Sequence, residues 1–209
     1  MRLQTVVLLL ALAGTLSAAT IISTYPASGG GVLVIDGGTF GFFLGAGFTM
    51  PAGGSYHLDS VTLRLDVETA TIPGLGFGLY ANSAGIPTGS ALVSFTAPSL
   101  TASSTADYTV TPTSSFTLLP GTTYWLVAGP QAPRANLDWA GEAPSPGASG
   151  IASSAGYYQS QTFGGSNIVG SSGVFYQVDG TAPGDGSVPE PGTLALLGAG
   201  LLALWVRRR

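Results

Sequence analysis

The stretch HLDSVTLRLDVE, at residues 57–68, decides the fold of the middle of this chain. Its residues alternate in character: the apolar set is Val61, Leu63, Leu65 and Val67, and the polar set is Thr62, Arg64, Asp66 and Glu68. Successive side chains of a β-strand point to opposite faces of a sheet. The alternation therefore predicts a strand with one buried and one solvated face.

Similar short segments recur along the chain, separated by turn-forming clusters such as NSAGIPTG (82–89) and LPGTT (119–123). No helical periodicity of useful length lies between them, and a parallel sheet would need intervening helices. The sequence therefore predicts an all-β fold, a jelly-roll-like antiparallel β-sandwich. Strands are predicted near 31–36, 40–48, 56–68, 75–81, 91–97, 106–111, 115–119, 123–129, 135–140, 155–163 and 173–179.

The composition favours a folded, acidic domain over a disordered one. Charged residues are 8% of the chain and apolar residues 45%, with runs such as YWLVAG (124–129) that can form a core. Residues 20–188 carry two arginines against nine acids, a net charge of 2 − 9 = −7. Such a domain would be repelled by phosphate groups, so nucleic acid is not an expected partner. The chain has no cysteine and therefore no disulfide.

The first 19 residues, MRLQTVVLLLALAGTLSAA, have the three parts of a secretory signal peptide. A basic residue, Arg2, precedes an apolar core, and small residues at Ser17 and Ala19 fit the cleavage site. We predict cleavage by signal peptidase between Ala19 and Thr20, and export of the chain. The alternative is an uncleaved membrane helix.

The C-terminal stretch VPEPGTLALLGAGLLALWVRRR, residues 188–209, predicts a short membrane anchor. Gly192–Val206 has no charge, but as a helix it would reach only about 22 Å, short of a hydrocarbon core of about 30 Å. Arg207, Arg208 and Arg209 would hold that end in the cytoplasm. A short anchor of this kind suggests a transient stay in the inner membrane.

Pro189 and Pro191 favour extended backbone just before the apolar run, which suits a processing enzyme. Val-Pro-Glu-Pro, an apolar run and an arginine cluster together resemble the PEP-CTERM sorting signal of Gram-negative bacteria that make exopolysaccharide. The resemblance implies that Pro189, Glu190 and Pro191 are recognised by an exosortase, a membrane protease. It also implies that the tail is removed and that the protein moves to the cell surface or extracellular matrix.

The middle of the chain, about residues 30–181, resembles the choice-of-anchor R type of β-sandwich domain. The similarity lies in GFTMPAGGSYHLDSVTLRLD (47–66), GLYANSAGIPTGSAL (78–92), FTLLPGTTYWLVAG (116–129) and GVFYQVDGT (173–181). That family implies no established catalytic activity.

These features divide the chain into four parts. We predict a signal peptide at 1–19, a β-sandwich ectodomain at 20–181, a flexible linker at 182–187 and the sorting signal at 188–209.

No catalytic residue, metal ligand or cofactor is predicted. His57 and Asp59 share a strand face but lack further ligands for a transition metal. Asp66 and Glu68 have the types of residue that a glycosidase pairs, yet Arg64 on the same face favours a solvated stripe. Asp179 and Asp185 fit no established calcium loop, and a structural calcium ion is left open.

Aromatic residues in the C-terminal half are candidate glycan contacts, because rings can stack on sugars. The candidates are Trp139, Tyr157 and Tyr158, with Tyr176 as a further aromatic residue of the same region. The alternative is that they are core residues.

Three functions are compatible with these observations. The first is a non-catalytic structural or interaction protein of an exopolysaccharide or biofilm matrix. The second is a lectin-like module that binds exopolysaccharide, and the third, least favoured, is a secreted hydrolase.

Overall fold

Fourteen β-strands make up the secondary structure of the described residues in this computed structural model. The structure describes residues 18–25, 33–35, 43–67, 76–96, 100–101, 104–129, 137–142, 147–160, 162–165 and 173–183. The strands are β1 Ala18–Ser23, β2 Leu33–Ile35, β3 Phe43–Thr49, β4 Tyr56–Val67, β5 Phe77–Ser83, β6 Ile86–Ser94, β7 Ser104–Val110, β8 Thr117–Leu118, β9 Thr123–Ala128, β10 Leu137–Glu142, β11 Ser149–Gly150, β12 Ser153–Ser160, β13 Gly173–Val174 and β14 Tyr176–Thr181. All of them fall within Ser17–Ala182, which forms one compact unit.

The strands form two antiparallel sheets. The larger has nine strands in the order β11-β1-β14-β4-β10-β13, with β2 paired to β10 and β7 and β8 paired to β4. The smaller has five, in the order β12-β3-β9-β5-β6. The predicted all-β, antiparallel β-sandwich is confirmed.

The long strand β4 behaves as its alternating sequence predicts. Val61, Leu63, Leu65 and Val67 are each no more than 1% exposed, whereas the residues between them are half-buried. Burying one large aliphatic side chain stabilises a fold by about 1.5–3 kcal/mol. The apolar face of β4 therefore anchors the main core, which side chains of both sheets share.

Strand β9 differs because it is buried on both faces. Tyr124 and Leu126 join the main core, whereas Trp125 and Val127 belong to a second cluster. A strand covered on both sides is apolar throughout, which explains the unbroken run YWLVA in its sequence.

The turn between β5 and β6 is shorter than the turn that the sequence predicts. Ser83 pairs with Ile86, so the turn consists of Ala84 and Gly85, with φ of 52° and 84°. Two positive φ values match the twist of a two-residue hairpin. Strand β6 therefore starts at Ile86, not near residue 91, and its proline, Pro87, is tolerated because β6 is an edge strand.

Strand β1 is absent from the predicted strands, because its first two residues, Ala18 and Ala19, belong to the predicted signal peptide. A bulge between Thr20 and Ile22 turns two consecutive residues, Ile21 and Ile22, into the core, and both are 0% exposed. The Ile21 carbonyl accepts hydrogen bonds from the backbone N–H groups of Ile151 and Ala152.

The predicted C-terminal membrane helix lies outside the described residues, as does the signal peptide up to residue 17. Within the ranges that are described, no helix is long and apolar enough to cross a membrane.

Candidate functional sites

The sorting residues follow the last strand of the larger sheet. Pro189, Glu190 and Pro191, and the arginines Arg207, Arg208 and Arg209, lie outside the described residues. Strand β14 ends at Thr181, seven positions before Val188.

The predicted signal-peptide cleavage site lies in a paired strand. Ala19 is opposite Gly180, and Thr20 is opposite Asp179. The Thr20 hydroxyl donates a hydrogen bond of 3.3 Å to Oδ1 of Asp179. A peptidase needs its substrate strand free, so the predicted cleavage after Ala19 would have to precede the pairing of β1 with β14.

Trp139 is not at the surface, which corrects its assignment as a candidate glycan contact. It is 1% exposed in the main core, and its indole N–H donates a 3.0 Å hydrogen bond to the Phe175 carbonyl. Its ring also packs edge-on against Tyr176, with centroids 6.5 Å apart. The ring has no free face on which a sugar could stack.

Tyr157 and Tyr158 are also buried, one on each side of the smaller sheet. Tyr157 is 2% exposed in the main core, and its hydroxyl has no hydrogen-bond partner among the described residues. Tyr158 is 0% exposed on the other face, where its hydroxyl donates to the Thr162 carbonyl at 3.0 Å. The fold therefore presents neither ring to a glycan.

The second cluster shields part of the outer face of the smaller sheet from solvent. Its buried members are Trp125, Val127 and Tyr158, covered by Phe43, Tyr80, Ile86 and Phe163. The Trp125 indole N–H donates a 2.9 Å hydrogen bond to Oδ1 of Asn82. A Cβ atom at Gly47 would come within 3.0 Å of the Trp125 ring, so glycine at this position makes room for the indole.

The candidate catalytic pairs are separated or bound to other strands. His57 lies beside Thr117 of β8, with Nδ1 and Oγ1 3.4 Å apart, whereas Asp59 accepts a hydrogen bond from Thr181 of β14. Asp66 lies on the outer face opposite Asp138 of β10.

Other parts of these candidate sites, Glu68 and Asp185, fall outside the described residues. Within the described ranges no group of three or more metal-ligating side chains occurs.

A charged cluster on the larger sheet links β4, β7 and the residues that follow β1. The sequence alone did not reveal it. Arg64 forms a two-pronged ion pair with Asp107 of β7, at 2.8 and 3.0 Å. The Tyr25 hydroxyl donates to the same carboxylate at 3.1 Å, and the Arg64 guanidinium lies 4.9 Å from the Tyr25 ring centroid. Arg64 and Asp107 are directly opposite in the β4–β7 register, which only the fold could establish.

The electrostatics of this cluster follow from its hydrogen bonds. Arg64 lowers the pKa of Asp107 by hydrogen bonding to the carboxylate, against a smaller opposing effect of burial. Hydrogen bonding to Asp107 raises the pKa of Arg64 in turn. Burial, followed by the charge of Asp107, raises the pKa of Tyr25. At neutral pH the cluster is thus an ion pair beside a neutral tyrosine, suited to fastening strands together.

We expect Asp107→Asn to destabilise the mature protein at neutral pH by no more than about 1 kcal/mol, because the ion pair is partly exposed. The folded-state pKa of Asp107 is depressed, so its contribution exists above the unfolded-state pKa and disappears as the pH falls through the folded-state value. Urea denaturation at pH 7 and pH 2.5 should show a smaller deficit of the variant at pH 2.5 than at pH 7. Asp66→Asn, which removes a carboxylate from the neighbouring strand β4, is the control. An equal deficit at both pH values would contradict the prediction.

An uncharged groove opens between β8 of the larger sheet and β5, β6 and β9 of the smaller one. Its volume is about 560 Å³, and it is lined by Ala81, Asn82, Leu92, Phe116, Thr117, Leu119, Gly121, Thr122, Thr123 and Tyr124. Leu92 and Leu119 are 45% and 54% exposed and present apolar surface at this groove. We call it the Leu92–Leu119 groove. The one feature of the sequence that could have indicated this groove is Leu119, which directly precedes the Pro-Gly turn.

The turn that carries Leu119 is held by hydrogen bonds. The backbone N–H of Leu119 donates to the Tyr124 hydroxyl at 2.9 Å, and that of Gly121 donates to the Pro51 carbonyl at 2.9 Å. The groove wall is therefore preformed.

Comparison with protein families identifies the C-terminal segment. Residues 187–209 match the model of the PEP-CTERM protein-sorting motif. No curated protein matches the chain. The resemblance of the middle to choice-of-anchor R domains is not confirmed and stays a prediction. The chain therefore carries a PEP-CTERM protein-sorting motif, which implies export, processing by an exosortase and a destination at the cell surface or outside the cell.

Proposed function

We propose that this protein is a non-catalytic structural or interaction component of an exopolysaccharide or biofilm matrix in a Gram-negative bacterium. The observation that carries the proposal is the sorting motif at residues 187–209, attached to an antiparallel β-sandwich. Signal peptidase would remove residues 1–19, the inner membrane would hold the tail transiently, and the exosortase would release the ectodomain.

Contacts of the charged side chains support a structural role for the ectodomain. Arg64 is bound to Asp107, and Asp59 accepts a hydrogen bond from Thr181. Asp179 accepts hydrogen bonds from the Gln177 amide at 3.0 Å. Each of these groups links neighbouring strands or residues of one sheet, as expected of charged side chains that stabilise the fold.

Fractionation of a native host with and without its exosortase tests the proposal. Mass spectrometry of surface material should find chains without Arg209 when the protease is present, and full-length chains in the inner membrane when it is deleted. Surface protein that retains Arg209 in the host with the protease would show that the tail is an ordinary anchor.

A lectin-like function is the second candidate, now supported by the Leu92–Leu119 groove instead of the buried rings. The groove volume lies within the range of about 300–1,000 Å³ that is usual for ligand pockets. Its lining combines apolar side chains with neutral polar groups, Asn82 and three threonines, and has no charged residue. Since the ectodomain is acidic, an uncharged glycan is the fitting ligand.

Leu119→Asp should weaken binding of the host's neutral exopolysaccharide about tenfold or more, because a carboxylate would stand in the apolar groove. Isothermal titration calorimetry on the mature protein measures the loss. Ile151→Asp, at an exposed apolar residue that does not line the groove, is the matched control. Wild-type protein without measurable glycan binding, or equal losses in both variants, would eliminate this candidate.

A further inference from the structure

We propose that removal of the signal peptide creates an ion pair between the new α-ammonium group of Thr20 and the carboxylate of Asp179. This pair would fasten the mature N-terminus to β14. The inference rests on the predicted cleavage after Ala19 and on the export of the chain.

The geometry places the two groups together. Thr20 and Asp179 are opposite each other in the β1–β14 register, and the Thr20 hydroxyl contacts Oδ1 of Asp179 at 3.3 Å. Only the N–Cα, Cα–Cβ and Cβ–Oγ1 bonds separate that hydroxyl from the Thr20 nitrogen. In the precursor this nitrogen belongs to an uncharged peptide bond. After cleavage it is a free amine beside a carboxylate.

The surroundings favour the charged amine. Strand β14 contributes Asp179, whose two oxygens accept bonds from the Gln177 amide. Strand β4 contributes Asp59 and His57, opposite the end of β14. On the other side of β1, strand β11 (Ser149–Gly150) has no ionisable side chain. Two carboxylates against one histidine leave a negative site, which raises the pKa of an amine.

The ion pair would compensate for pairing that cleavage removes. Ala18 and Ala19 are opposite Thr181 and Gly180, and both are lost from the mature strand. The shortened β1 then begins one residue before Ile21, which is fully buried. A charge pair at Thr20 would keep the free end of this strand from fraying.

The pH dependence has a definite sign. A free α-amino group has a pKa of about 7.7–8.0, and an exposed ion pair would raise it by about half a unit in the folded protein. An amine with a raised folded-state pKa stabilises the fold fully below its unfolded-state pKa. That contribution is lost as the pH rises through the folded-state pKa.

The absence of lysine makes the test specific. The α-amino group is the sole primary amine of the mature chain, so reductive methylation with ¹³C-formaldehyde labels one site. An NMR titration of this label in the exported mature protein gives the amine pKa directly. We expect it to lie about half a unit above the value in urea, and Asp179→Asn to remove the difference.

Asp66→Asn is the matched control, since Asp66 lies six residues along β4 from Ser60, the partner of Asp179. That spacing is about 20 Å, beyond the screening length of about 8 Å at physiological salt. An amine pKa that is the same in wild type and Asp179→Asn would overturn the ion pair.

N-terminal sequencing distinguishes a failure of the predicted cleavage site from a failure of the proposed ion pair. A mature chain that begins at a residue other than Thr20 overturns the proposal at its starting point. A chain that begins at Thr20 but has an unshifted amine leaves export and sorting intact and overturns the ion pair alone.

Discussion

Full-length protein is expected to accumulate in the inner membrane when Pro189 and Glu190 are both replaced by alanine. The two residues belong to the matched sorting motif, and a proline favours the extended backbone that a processing enzyme needs. The apolar run Gly192–Val206 is untouched, so the tail can still insert. Mass spectrometry of inner-membrane, surface and medium fractions should move nearly all of the chain from the surface to the membrane.

Replacement of the three C-terminal arginines should impair sorting in a different way. Each costs about 2.5–3.5 kcal/mol at the centre of a bilayer on insertion scales, so together they stop the tail from passing through. Replacing Arg207, Arg208 and Arg209 with serine should release unprocessed protein. Pro183→Ala, at a proline outside the matched residues, is the control and should be processed normally. Normal surface delivery of the Pro189→Ala, Glu190→Ala variant would contradict the assigned role of the motif.

Trp139→Ala should destabilise the mature domain by about 3–5 kcal/mol, because it leaves a cavity in the main core. Domains of this size have about 5–15 kcal/mol of stability in total, so much of it would be lost. We expect the melting temperature to fall by about 10 °C or more. Calorimetry or circular dichroism measures the change, and Leu119→Ala, at a half-exposed residue, is the control.

Trp139→Phe separates burial from the hydrogen bond. The phenyl ring keeps most of the apolar contact but cannot donate to the Phe175 carbonyl. That carbonyl still accepts a bond from the Arg64 backbone N–H, so the loss should be only about 1 kcal/mol. Glycan binding that disappears in folded Trp139→Phe protein would contradict our placement of Trp139 in the core.

Much of the sheet structure could be predicted because strand periodicity is a local property. Strand β4 was predicted at 56–68 and runs from Tyr56 to Val67, and β9 was predicted at 123–129 and ends at Ala128. Strands β1 and β11 were missed, and the single strand predicted at 173–179 is divided into β13 and β14. Strand β11 has only two residues, too short for any alternation, and β1 overlaps the predicted signal peptide and contains a bulge.

The candidate glycan contacts show where local reasoning fails. Tyr157 and Tyr158 are consecutive, so a strand must point them to opposite faces, and a sheet with one solvated face would expose one of the two rings. Tyr157 is buried in the main core, and Tyr158 belongs to the second cluster on the outer face. That cluster is covered by Phe163, five residues further along the chain, and by side chains of β3, β5 and β6, which the residues around Tyr158 do not indicate.

The sequence by itself determined the sorting signal of this protein and its all-β fold class. A sorting motif is read as a linear segment, and period-two alternation depends only on neighbouring residues. Tertiary structure alone decided that Arg64 pairs with Asp107, that Trp139 is core and that Leu92 and Leu119 border a groove. The physical reason is that alternation fixes which side chains share a face of a strand. Which strand lies next to it, and what covers each face, depends on pairing between residues far apart in the chain.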